Sequence, residues 1–337
     1  MIEINHFVKA VCGKIPEGLT FQPSDTNLTE YFQETRKAEE EETTQVEALA
    51  KEKQTPTTID PKYPLDTQVI AIDTTSFTLG QIPDGLVGAV RASIITKQAG
   101  KTSHTLEKYG PYLAGITNQN KETIFRNTFR AIFGRENESI PPDCYKTLDR
   151  IRSWLERHLQ KETARNHKNS LILLDGSLIA GFVGDPTFIL KGILDDASKN
   201  GNTLVAISKS TGLTLKGTMH NILTLLDEVQ GPCYISNIKK HITQTPDRYL
   251  GEVYVAKLTP LGEPFRIDIP QNCPLGHDEV FAQIAGLAGD YGYPEELKLA
   301  HMTCVLSSIE IIELQAAAIA LHGLSMKEEL RPKIFPL

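Results

Sequence analysis

Hydrophobic and polar positions divide the chain into two unlike parts. Asn5 to Val11 can form a short helix, and Gly18 to Pro23 has turn character. Leu28 to Lys53 predicts one charged helix, because RKAEEEETTQVEALAKEK is rich in helix formers and nearly devoid of large apolar residues. In QTPTTIDPKYP the prolines Pro56, Pro61 and Pro64 each disfavour helical continuation, so the helix ends there. This places an N-terminal helical, charged arm over residues 1–64 and the main domain over residues 65–337.

From Thr67 the pattern changes to strand. TQVIAIDTTSFTL is a β-branched run with partial alternation, and GLVGAVRASIIT follows it across the short connection Pro83-Asp84-Gly85. HTLEKYGPYLAGIT predicts a third strand interrupted at Gly110-Pro111, so the three form an antiparallel meander. A helical region spans Lys121 to His167 with a break near Pro141-Pro142, and Leu148, Ile151, Leu155 and Leu159 define its buried stripe. Then SLILLDGSLIAGFV and TLVAIS are short, nearly continuous apolar strands of the kind buried on both faces, separated by a helix around Pro186 to Asn200. GEVYVAKL and PFRIDI predict a hairpin around Thr259 to Glu263, and a single C-terminal helix covers Glu295 to His322.

With 40% apolar residues in 337, the chain can bury a sizeable core. The formal charge of −7 speaks against coating polyanions by bulk charge. Part of it is local, however: seven glutamates face four bases between Gln33 and Lys53. Five dispersed cysteines show no zinc spacing and fit a reducing cytoplasm. The N-terminus lacks the pattern of a secretory signal, and no run reaches the roughly 20 apolar residues of a membrane span.

Three acids occupy places a plain core would not choose. Asp73 in VIAIDTTS and Asp175 in LILLDGSL each end an apolar run, where an aspartate must be paired, protonated or bound to a cation. Glu156 lies about 100° around its helix from Leu155 in the buried stripe, so it flanks the core. Taken singly each has an ordinary reading: a turn, a strand-end cap, or a surface pair of Glu156 with Arg152 or Gln160. Together they follow the order strand with Asp, two strands, helix with Glu, strand with Asp, then a later helix. That is a ribonuclease-H-like α/β topology, a mixed sheet flanked by helices, whose carboxylates hold two divalent ions about 3.5 to 4 Å apart for phosphodiester hydrolysis. Hard oxygen donors suit Mg²⁺ and Mn²⁺. In GDYGYPEELKLAH the turn residue Tyr293 precedes a helix on which His301 reaches the sheet-facing side, able to move a proton or complete a metal shell.

LILLDGSL, the helix with Glu156, AIDTTS, LVAISKS with Lys209, YVAKL followed by PFRIDIP, and GYPEELKLAH together resemble the NurA family of DNA end-processing nucleases over Asp66 to Glu313. The resemblance implies a PIWI-like core, Mn²⁺-dependent exonuclease and endonuclease activity on DNA, a homodimer, and a HerA-type hexameric translocase as partner. By the same resemblance Asp73, Glu156 and Asp175 are metal ligands, His301 a late ligand or proton-handling residue, and Tyr293 an outer or substrate contact. Glu162 and Glu136 are alternatives to Glu156 on the same helical region. The family's first motif is more often Asp-Gly-Ser, whereas this chain has Asp73-Thr74-Thr75-Ser76. Lys209 follows a strand, where a cation can meet a scissile phosphate, and Lys257 and Arg266 on the late hairpin are candidates to line a DNA channel without reading bases. Two other readings stand beside this one: a ribonuclease-H-like enzyme acting on RNA or hybrids, and a catalytically silent adaptor of a ring ATPase. No Walker A motif is present, so ATP consumption falls to a partner.

Overall fold

The computed structural model describes residues 2–12, 15, 19–24, 44–46, 55–63, 65–137, 139, 141, 143–182, 184–218, 220–242 and 245–326. The first elements are short: α1 (Asn5–Val11), β1 (Thr20–Pro23), β2 (Thr44–Val46) and β3 (Thr57–Thr58). The β-branched meander gives β4 (Val69–Ile82), β5 (Gly85–Lys97) and β6 (His104–Thr117). Next come α2 (Lys121–Phe133), α3 (Cys144–Asn166), β7 (Leu171–Asp175), α4 (Thr187–Lys199), β8 (Thr203–Ser208), β9 (Leu213–Leu215) and β10 (Cys233–Ile235). The hairpin β11 (Gly251–Lys257) and β12 (Pro264–Pro270) leads to α5 (His277–Gly286), α6 (Glu295–Cys304), α7 (Ser308–His322) and β13 (Ser325–Met326).

Residues alternate strictly across the central strands. Ile70, Ile72, Ile172, Leu174, Leu204 and Ala206 face a core built on α3, α4 and the aromatic trio Phe125, Phe129 and Trp154. Their neighbours Val69, Ala71, Leu171, Leu173, Val205 and Ile207 face a second core built on α5 and α6. Burial on both faces is why β7 and β8 carry unbroken apolar runs. Each such Val, Leu or Ile side chain contributes about 1.5–3 kcal/mol.

The strand order is β6-β5-β4-β7-β8-β12-β11-β10-β3, with β5 antiparallel to β4 and β6, and β4, β7 and β8 mutually parallel. This is the expected ribonuclease-H-like mixed sheet, extended on one side by antiparallel β12, β11 and β10. The 14-residue β4 outruns the five-residue β7, whose parallel register ends at Ile72 opposite Leu174. Farther along the same edge β1 pairs with Gly80 and Gln81. Among the described residues no strand covers that edge between Asp73 and Leu79, so the sheet splits there.

Three expectations change. Of the proposed helix Leu28 to Lys53 only Thr44–Val46 is described, and it is the strand β2, parallel to β9; the rest lies outside the described residues. The third strand is continuous through Gly110-Pro111, which is accommodated by a shift of register between Val90 and Ala92. The C-terminal helix is two helices: Val305 is extended, and Ser307 starts α7 with a capping box, its hydroxyl accepting from the Glu310 amide while the Glu310 carboxylate accepts from the Ser307 amide. The pieces have 10 and 15 residues, each shorter than the roughly 20 that cross a bilayer. Within residues 1–64, α1 buries Phe7 and Val11 in the α3-side core and β1 extends the sheet.

Candidate active site

The split beside β4 brings the chemistry together. Asp73 leaves the apolar part of β4 where β7 stops, and its side chain points to the α6 side, 6% exposed. Its Oδ1 accepts from the Thr74 amide at 2.7 Å. Its Oδ2 lies 2.8 Å from His301 Nδ1 and 3.5 Å from the Cys304 thiol, which donates to it. A carboxylate oxygen can only accept, so His301 carries its proton on Nδ1 in this arrangement. Helical spacing explains the pair: His301 and Cys304 are three apart on α6 and so share a face.

Thr74, one residue on, points to the opposite side and meets α3. Its hydroxyl donates to Glu156 Oε2 at 3.0 Å and accepts from Arg152 Nη1 at 3.2 Å. Arg152 also donates to Glu156 Oε2 at 3.2 Å, and Gln160 Nε2 donates to Glu156 Oε1 at 3.0 Å. Arg152, Glu156 and Gln160 recur every four residues, so one face of α3 presents all three. The pairing foreseen as a surface feature is therefore made on a largely buried face, with Gln160 only 1% exposed. Burial first, and Asp73 next among the groups that act the same way, raise the Glu156 pKa to about 7, although Arg152 opposes them.

Asp175 ends β7 with the chain already turning: Gly176 has φ +114°, which favours glycine, and its amide donates to the Ile207 carbonyl. Asp175 Oδ2 accepts from Lys209 Nζ at 2.8 Å, and the same ammonium lies 4.8 Å from the centre of the Tyr293 ring. Burial and then Asp73 push the Asp175 pKa up, with Lys209 acting against them. Asp73, Glu156, Asp175, His301, Tyr293 and Lys209 thus gather at one place.

The late-hairpin cations do not join them. Arg266 is a correction: it is fully buried, and Nε and Nη2 donate to Asp268 Oδ1 and Oδ2 at 2.9 and 2.7 Å, with the Tyr249 ring 5.4 Å away. It is an internal ion pair and lines no channel. Lys257 donates to the Val229 carbonyl at 3.2 Å, two strands beyond β8. Glu162 pairs with Arg165, and Glu136 with Arg130, so neither replaces Glu156.

Asp73, His301 and Cys304 place three possible donor atoms within 4.8 Å of one another. Burial and then Asp73 push the Cys304 thiol far upward, so it stays protonated and is a poor donor to a hard cation. Among the described residues no other three such donors lie within 4.8 Å of one another, so Asp175 and Glu156 stand farther from Asp73; their oxygens are nevertheless the hard donors that suit Mg²⁺ or Mn²⁺, and an ion held by all three acids would need them to draw inward. The Asp73 charge raises the proton affinity of both Glu156 and Asp175, so this place favours added positive charge, which a divalent ion would supply. Sequence reasoning missed Thr74 and Cys304 and gave Gln160 only as a surface partner of Glu156; the four-residue and three-residue spacings on α3 and α6 were the available signals.

A NurA domain model matches residues 67–306. No curated protein matches the chain. Among solved structures the chain is similar to the NurA nuclease from Sulfolobus solfataricus, at 16% identity over 87% of this chain and 94% of that one, with a TM-score of 0.49. A second NurA structure aligns at 10% identity over 82% and 92%, with a TM-score of 0.46. Endonuclease V from Ciona intestinalis, in complex with inosine-containing DNA, aligns at 12% identity over 86% and 100%, with a TM-score of 0.37. The domain match takes in Asp73, Glu156, Asp175, Tyr293 and His301 alike, and the chain belongs to the NurA family of nucleases.

Proposed function

We propose that this nuclease is a Mn²⁺- or Mg²⁺-dependent deoxyribonuclease, acting as a 5′–3′ exonuclease and single-strand endonuclease. It would work as a homodimer with a HerA-type hexameric translocase in DNA end resection or in defence against foreign DNA. One observation carries the metal dependence: Glu156 and Asp175 approach Asp73 at the split of the sheet, where burial and the Asp73 charge favour the protonated forms of Glu156 and Asp175. The DNA substrate, the partner and the dimer rest on family membership.

When bound there, divalent ions supply activation of water and neutralisation of the leaving oxygen. Asp73, Asp175 and Glu156 would hold them, each already oriented by a neighbour: the Thr74 amide, Lys209 and the Thr74–Arg152–Gln160 set respectively. His301 uses Nδ1 for Asp73, so ligation through that nitrogen and donation to Asp73 exclude each other, while Nε2 is left to move a proton. Lys209, restrained by Asp175 and the Tyr293 ring, places an ammonium where a phosphate would approach.

Asp73→Ala and Asp175→Ala should each abolish Mn²⁺-dependent cleavage of labelled linear DNA, with circular dichroism and melting temperature showing an intact fold. Full activity in either purified, folded variant would overturn the proposal. Parallel digestion of RNA and hybrids tests the substrate, and preference for either would favour the ribonuclease reading.

A further inference from the structure

The dipeptide Asp73-Thr74 serves two faces of the sheet at once. Successive strand residues point to opposite sides, so Asp73 meets α6 while Thr74 meets α3. Thr74 touches both acids: its amide donates to Asp73 Oδ1 at 2.7 Å, and its hydroxyl donates to Glu156 Oε2 at 3.0 Å. It is 6% exposed, so water cannot readily substitute for that hydroxyl. The hydroxyl also accepts from Arg152, which completes its own hydrogen bonding and fixes the direction of its proton toward Glu156.

We propose that Thr74 is a positioning residue for the nuclease reaction: it sets the separation and orientation of the Asp73 and Glu156 carboxylates, and through them the affinity for the divalent ion. The inference rests on the metal-dependent reading above. A glutamate on a helix has three side-chain torsions, and the Asp73 charge repels that of Glu156, so the carboxylate must be held in place. Gln160 holds one oxygen and Arg152 the other, yet both lie on α3 and move with it. Thr74 is the contact that ties the Glu156 carboxylate to the strand bearing Asp73. A glycine at this position, as in Asp-Gly-Ser, would lack it, so the tie belongs to this chain's Asp73-Thr74-Thr75 sequence.

The test uses the full chain and Mn²⁺ as the probe. Thr74→Val keeps the shape and the amide but removes the hydroxyl; Thr74→Ser keeps both donors. Calorimetry should show Mn²⁺ binding weakened roughly tenfold in Thr74→Val, equivalent to about 1.4 kcal/mol. The same variant should need about tenfold more Mn²⁺ for half-maximal cleavage with KM for DNA unchanged, and Thr74→Ser should restore both to within about twofold. In a Glu156→Gln background the Thr74→Val change should add nothing, because Thr74 acts through Glu156. Wild-type Mn²⁺ affinity in a folded Thr74→Val, or an undiminished effect in the Glu156→Gln background, would overturn the positioning role while leaving the metal-dependent reading intact. Absence of Mn²⁺ binding and of Mn²⁺-stimulated cleavage in the wild type would overturn that reading itself and this one with it.

Discussion

Replacing Glu156 by glutamine should change how the stability of the metal-free protein depends on pH. The folded pKa is about 7 against an ordinary 4.5, and burial is the main cause. A carboxyl raised in the folded state is protonated in the native protein but ionised in the unfolded chain at intermediate pH. Stability therefore falls as pH rises from 4.5, and the loss is complete above about 7. Each pH unit in that window carries about 1.36 kcal/mol, so the penalty reaches roughly 3 kcal/mol. Glutamine cannot ionise, but its amide nitrogen takes the place of one oxygen that accepts from Arg152, Thr74 or Gln160, which costs about 1 kcal/mol at every pH. The two proteins should then differ little near pH 5, while near pH 8 Glu156→Gln should be more stable by about 2 kcal/mol. Urea denaturation in EDTA from pH 5 to 8 measures this directly through the midpoint at constant slope. Saturating Mn²⁺ should stabilise the wild type by about 2.7 kcal/mol at a hundredfold excess over Kd, and the variant by much less. Parallel midpoint-against-pH curves for the two proteins in EDTA would refute the reasoning.

Asp268→Ala should destabilise by about 3–5 kcal/mol in urea denaturation, because it leaves the fully buried Arg266 charge uncompensated and also removes the acceptor of the Leu178 amide. Arg266→Met with Asp268→Leu should recover most of that loss, and equal loss in the single and double variants would contradict the ion-pair assignment. Glu310→Ala should cost about 1–2 kcal/mol through the lost capping box and the lost partner of buried Arg91. Arg91 holds the Glu310 pKa down at about 2 against an ordinary 4.5, so this contribution is complete above 4.5 and fades as pH falls toward 2. A thermal-melt difference between wild type and Glu310→Ala that failed to shrink on acidification would refute it.

The positions that sequence reasoning found were those where one residue contradicts its surroundings. Asp73 and Asp175 end apolar runs, and an acid there demands an explanation whatever the fold. Glu156 emerged only through element order, because a glutamate on a basic helix contradicts nothing by itself. Arg266 failed for the converse reason. Arg266 and Asp268 are two apart on a strand, hence on one face, and inside a buried run that spacing already satisfies both charges. The break in the C-terminal helix was also written locally, as Ser307 with Glu310 three residues on, but the continuing apolar pattern through Val305 and Leu306 concealed it. Strand β2 was not locally legible, since its partner Leu213–Leu215 is far away in sequence. Least legible of all was the split that makes the site. It arises from a difference of lengths, a 14-residue β4 against a five-residue β7, with β1 resuming the edge only at Gly80. Neither strand's sequence alone states that difference. Yet it is what lets Asp73 from one face and Thr74 with Glu156 from the other approach a common opening, so the distance between the two acids is governed by one threonine and not by either helix.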